Sequence, residues 1–349
     1  MPILDLSLEK QSYSVEVCAS LLFECALGIA AVTYSDIRDT LERTTSEWDE
    51  IILRLQPEAQ HELEYCAKHN TWQALLRLLH GSNCKHLNEF LNYLNTLTVE
   101  EFRFQVLPPL EGIQEKDVRR KAVIGDRDAV AKLIEAAEKH NFFSTYVPFF
   151  LNEDVEKLKN HLILLMESWY EAAITPRKEE WENILQRELA SKHDMQSRLS
   201  FEAFIEWATG ATYVPEPGER NVLLVPHISY RPWTIQANLS DTKVLYYPVS
   251  DDSLFGVNDP YRPSSSLVLL YRALGDENRL RILKLLREKE RTLQELTEIL
   301  DLAKSTIHHH LALLRSAKLV ISNGTTYVLK PTTLQHAHKQ LEAYFEFNF

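Results

Sequence analysis

Lys304, Ser305, Thr306, His308 and His309 fall in one short run, KSTIHHHLALLRS. They supply an ammonium group, two hydroxyls and two imidazoles, which together donate and accept hydrogen bonds. On one exposed helix face such groups can read base edges in the DNA major groove, where every base pair presents its own donor and acceptor pattern. The periodicity supports that arrangement. At about 100° per residue, Ile307, His310, Leu311 and Leu314 follow the i, i+3, i+4, i+7 rule of a buried stripe. Ser305, His309 and Ala312 point the opposite way, with Lys304, Thr306 and His308 beside them.

Other chemistry is weaker. The adjacent imidazoles of His308, His309 and His310 diverge by about 100° each, so they cannot close on one ion. His61–Glu62 begins an H-E-x-x-H pattern whose last position is Tyr65. His80, Cys84 and His86 are soft ligands that lack a fourth. No G-x-S-x-G, Walker or G-x-G-x-x-G pattern occurs, which leaves no positive case for catalysis. The expectation is a non-enzyme with no metal site and no cofactor. Trp169, Tyr170, Trp181 and Trp207 stand at helical spacing and are expected in a core. Tyr230, Arg231 and Trp233 lie where a cleft beside strands could hold an effector.

The elements that position the 304–316 run are legible around it. A short helix, Leu267–Leu274, stops at Gly275. Asp276 caps ENRLRILKLLREKE, in which Leu283 and Leu286 turn inward with Leu280 or Ile282. Thr292 and Glu295 form a capping box that opens LQELTEIL. Asp301–Leu302–Ala303 is a tight connection into Lys304–Ala317. LVISNGTTYVL then reads as two strands about Asn323–Gly324, a strong hairpin signal. Helix, short turn, helix and hairpin together make a winged helix-turn-helix.

Upstream, helices succeed one another. They are expected over Val15–Tyr34, after Ser35, from Pro57, between Thr71 and Gly81, after Thr98 and after Asp126. Three more are expected from Val155, from Thr175–Pro176, and from Ser200 to Gly210. From Ala211 the texture changes: Asn221–Val225 and Lys243–Val249 read as strands. Ser250–Ser266 is rich in turn residues and reads as a linker. The expected fold class is mainly α. A helical domain spans 1–210, a β-containing connecting segment and linker 211–263, and a winged helix-turn-helix domain 264–349.

ALGDENRLRILKLL, LQELTEIL and KSTIHHHLALLRSAKLV resemble the ArsR-type winged-helix transcriptional regulators. The resemblance covers Leu267–Leu329. It implies a homodimer on a palindromic double-stranded operator, usually a repressor released by an effector. Carried over by position, it makes Lys304, Ser305, Thr306, His308 and His309 the DNA contacts and gives His310 a structural role. There are departures. The helix before the turn has no Cys pair, and His336 and His338 stand two apart, about 200° around a helix, so metal sensing at the familiar positions is not expected. The wing tip Ser322–Thr326 has no Lys or Arg, and Ala303 stands where Ser or Thr often caps the recognition helix. The long N-terminal part resembles that of a subset of these regulators and implies a sensory or dimerisation domain.

Composition sets the bounds. The chain has 349 residues, with 38 Lys and Arg against 50 Asp and Glu, a net charge of −12. Taken whole, that opposes nucleic-acid binding. The charge is uneven: residues 264–349 hold 12 basic and 9 acidic side chains, and residues 1–263 hold 26 and 41. Only 9 glycines favour helix over multi-hairpin folds. Four cysteines without a C-x-x-C pair fit reduced thiols in the cytoplasm. Glu16 and Glu24 interrupt the most apolar stretch, so no membrane span is expected. The function that follows is sequence-specific, effector-controlled transcriptional regulation by a homodimeric repressor. The alternatives are a winged helix that binds protein, and an N-terminal enzyme with an accessory winged helix.

Overall fold

Ser14–Val17 alternates small and charged with β-branched residues, the period-2 pattern of a strand, and forms β1. The computed structural model to which it belongs describes residues 14–110, 115–140, 142–210, 213, 220–239, 242–256 and 261–345. Two units emerge from the contacts. One takes the described residues up to Tyr34 and those from Arg43 to Val249. The other takes Ser35–Glu42 and the described residues from Ser250 onward. The sequence divides the chain at 210 and 263; the contacts divide it at 249 and keep the Asn221–Pro248 strands with the N-terminal helices.

In the first unit, β1 replaces the start of the helix expected from Val15. Val15 and Val17 pack against the cluster formed with Phe204, Ile205 and Ala208. The helix itself is Leu21–Thr33, where the Ser20 hydroxyl accepts the Leu22 N–H at 3.1 Å. The other strands are β2 (Asn221–His227), β3 (Ile235–Leu239) and β4 (Thr242–Pro248), in the order β1-β2-β4-β3. β1, β2 and β4 are parallel, and β3 lies antiparallel on the edge. Both faces of the sheet are covered, which is why β2 and β4 are nearly all apolar. Leu224, Leu245 and Tyr247 face the Phe201–Thr209 helix. Tyr246 faces the other way, 6.0 Å from the Phe23 ring, with its hydroxyl 2.5 Å from His80 Nε2.

The expected caps act at Thr98, Asp126 and Ser200. Thr44 with Glu47 adds a capping box that opens Thr45–Leu53, an element missing from the sequence reading. Thr71 does not cap Trp72–Gly81, because its hydroxyl bonds His161 instead. Trp169 and Trp181 are core residues as expected, and Gly28 leaves room for Trp169: a Cβ there would meet its Nε1 at 2.6 Å. Trp207 is not a core residue. It is 42% exposed, with the Lys192 ammonium 4.2 Å from its ring. Among the described residues no helix is long and apolar enough to cross a membrane.

The second unit is built on helices Ser265–Leu274, Glu277–Glu288, Leu293–Leu300, Lys304–Ser316 and Pro331–Phe345. Ile282, Leu283, Leu286, Leu296, Ile307, Leu311 and Leu314 share one core. Ile282, rather than Leu280, is the inward residue. Beside them a small antiparallel sheet has the order β5-β7-β6, from Arg291–Thr292 (β5), Val320–Asn323 (β6) and Thr326–Leu329 (β7). The hairpin tip is Gly324–Thr325, one residue beyond the expected centre. Only Gly324 has positive φ, at 57°, as a type II′ turn requires of its first loop residue. The chain is thus mainly α, with a C-terminal winged helix-turn-helix.

Candidate nucleic-acid interface

The recognition helix, Lys304–Ser316, packs against helices that hydrogen bonds tie together at their ends. Asp276 caps Glu277–Glu288 by accepting the Arg279 N–H at 2.9 Å. The Arg279 guanidinium then donates to the carbonyls of Ala273 at 2.7 Å and Arg272 at 2.9 Å, groups that the end of Ser265–Leu274 leaves unpaired. His310 brings its Nδ1 within 3.9 Å of Asp276 Oδ1, an electrostatic approach longer than a hydrogen bond. Burial pushes the His310 imidazole below its ordinary pKa, against the pull of Asp276. The Arg279 N–H bond holds Asp276 below the usual carboxylate range. The D-x-x-R spacing is the signal that could have identified Arg279 as a positioning residue.

Leu293–Leu300 is opened by the Thr292–Glu295 capping box and closed by Asp301 in the left-handed region, φ 52°. That residue turns the chain into Leu302–Ala303 and the recognition helix. Ile307, His310, Leu311 and Leu314 are buried, as the periodicity requires. Lys304, Ser305 and Thr306 are exposed side by side in the first turn, and His308 and His309 are half-buried. Ala303 gives the helix no side-chain cap. Its first-turn N–H groups are therefore open to an outside acceptor, such as a phosphate oxygen.

Ala312 departs from the expected outward orientation. It is buried, as is Leu313, although neither belongs to the shared core. Within the same unit the recognition helix also contacts the one-turn helix Ser35–Arg38. The outward surface is therefore confined to the N-terminal half, from Lys304 to His309. The wing tip carries Ser, Asn, Gly and Thr and no cation.

Elsewhere the structure brings together groups that lie far apart in sequence. Glu62 meets His161 Nδ1 in a short hydrogen bond, and His161 Nε2 lies 2.7 Å from the Thr71 hydroxyl. The order carboxylate, imidazole, hydroxyl is that of a nucleophilic relay. Thr71 is fully buried and His161 nearly so, which makes the network a support for the helix Val155–Trp169. Among the described residues no three His, Cys, Asp or Glu converge on a point that would hold a metal. The His336 side chain lies outside the described set.

No curated protein and no solved structure matches this chain. Residues 276–322 match the family model of the bacterial regulatory protein, arsR family, a span that begins at the Asp276 cap and ends in β6. The chain therefore carries a helix-turn-helix domain of the arsR family.

Proposed function

We propose that this protein is a sequence-specific DNA-binding transcriptional regulator that acts in the cytoplasm as a homodimeric, effector-controlled repressor. The observation that carries the reading is the exposed first turn of the recognition helix, with Lys304, Ser305 and Thr306 inside the matched arsR-family domain. His308 and His309 complete the reading surface. Val268 and Tyr271 on Ser265–Leu274, and Leu334 and Phe345 on the last helix, are exposed apolar residues that support pairing of two copies. Ala337 between them is buried in the core, so only the outer side of the last helix is free for that role. The first unit supplies control by binding, without catalysis.

Selection of bound DNA from a random duplex library tests this. The expected product is a pseudo-palindrome whose half-sites lie about one helical turn apart, ~34 Å. Recovery of no common sequence, with binding that depends only on DNA length, rejects the reading.

A further inference from the structure

In the first unit, a cavity of about 800 Å³ opens where β1 turns into Leu21–Thr33. Its size falls within the roughly 300–1,000 Å³ of small-molecule sites. Its place matters as much. Open sheets with parallel strands bind ligands outside the carboxyl ends of those strands, and Cys18, Ala19 and Ser20 line the cavity directly beyond the end of β1.

Helix Lys178–Gln196 builds one wall with Lys178, Glu182, Leu185, Gln186 and Leu189. These positions share one helical face. The face is charged at its N-terminal end and apolar at its far end. Phe23, Leu79 and Leu223 extend the apolar part.

Four charged side chains line the cavity: Lys85 and Lys178, Glu16 and Glu182. Among the described residues none of the four is in an ion pair. His80 adds no charge: burial lowers its pKa to about 4, and its Nε2 is engaged with Tyr246. The formal charges cancel, so neither a bare anion nor a bare cation is matched by the site as a whole. The first-turn amides of Leu21–Thr33 add a partial positive charge beside Ser20.

We infer that this cavity binds a small zwitterion of the amino-acid class, with both charged ends at the polar half and an apolar side chain against Leu185, Leu189 and Leu223. Calling the ligand the effector rests on the proposed regulatory function; the binding itself does not.

Isothermal titration of the full chain tests the site, with L-phenylalanine and L-leucine as probes and phenylacetate and phenethylamine as single-charge analogues. The expected result is saturable binding of at least one amino acid with Kd below about 1 mM. Each analogue should bind at least about ten-fold more weakly, because a charge-assisted contact is lost. Glu182→Gln and Lys178→Gln, both at exposed positions, should each weaken the amino acid by a similar factor. No saturable binding by either amino acid, analogues that bind equally well, or variants that bind as the parent does would each overturn the assignment. DNA affinity is read in a separate titration. Loss of the DNA-binding result with ligand binding intact rejects only the regulatory reading. Ligand binding that leaves DNA affinity unchanged removes the effector role.

Discussion

Among single residues, His309 and Lys304 carry different parts of the proposed DNA contact. The half-buried His309 imidazole carries a donor and an acceptor, suited to a base edge. His309→Ala is expected to weaken a selected operator by about 1–3 kcal/mol and relax the preference at one base position. Equal affinity for the operator at fixed salt would remove His309 from the interface. Lys304 is an exposed point charge, suited to phosphate. Lys304→Gln should weaken all sequences alike and reduce the salt slope by about 1, which parallel titrations would measure. Glu24 belongs to the first unit. It is fully buried and accepts the N–H groups of Ile228 and Ser229, the latter at 3.0 Å. Burial nonetheless raises its pKa to about 7. A carboxyl raised above its unfolded value contributes stability that is complete below that value and is lost as pH rises through 7. His227 and His80, lowered to about 3 and about 4, act in the other direction: their contribution is present above about 6.5 and lost as the medium turns acid. Denaturant titrations of the parent and Glu24→Gln should therefore differ with pH. The parent loses stability relative to the variant between about pH 4.5 and 7, and parallel curves would contradict the Glu24 assignment.

Among the elements, local rules read well wherever one turn of chain decides the outcome. The Thr98 and Thr292 boxes, the Asp276 cap, the Gly210 stop and the inward stripe of the recognition helix all stand in the sequence and in the fold. Illegible were elements whose partners are distant. β1 is four residues long and takes its identity from pairing with β2, some two hundred residues away. β5 has only two residues, and β3 is a half-exposed edge without an apolar run. Thr71 has the composition of a cap, yet a buried imidazole on another helix outcompetes the backbone for its hydroxyl. In the candidate site, the exposed residues from Lys304 to Thr306 were legible from period alone. Burial of Ala312 was not, because Ala312 lies off the stripe that joins the winged-helix core and is buried nonetheless. The uncapped recognition helix provides a test. Ala303→Ser should raise the unfolding free energy by about 1 kcal/mol, measured by denaturant titration. It should also weaken DNA binding if a phosphate uses the amides that the serine would occupy.

Across the whole molecule, the net charge of −12 is an average of two unlike parts. The last 86 residues hold three more basic than acidic side chains, and the wing tip adds none. Few phosphates can then be neutralised. Specific binding should lose less than about 10³-fold between roughly 50 and 200 mM salt, the low end for proteins that make six or more phosphate contacts. A steeper loss would mean that cations outside the recognition helix make the main contacts. The C-terminal unit also includes Ser35–Glu42, eight residues separated from the rest of it by about two hundred others. During synthesis that octapeptide leaves the ribosome first, and at about 5–20 residues per second it waits roughly ten to forty seconds for its partners. The arsR-family domain is thus completed last, after nearly all of the first unit has emerged. A nascent chain truncated between the two would carry a finished first unit without a complete arsR-family domain.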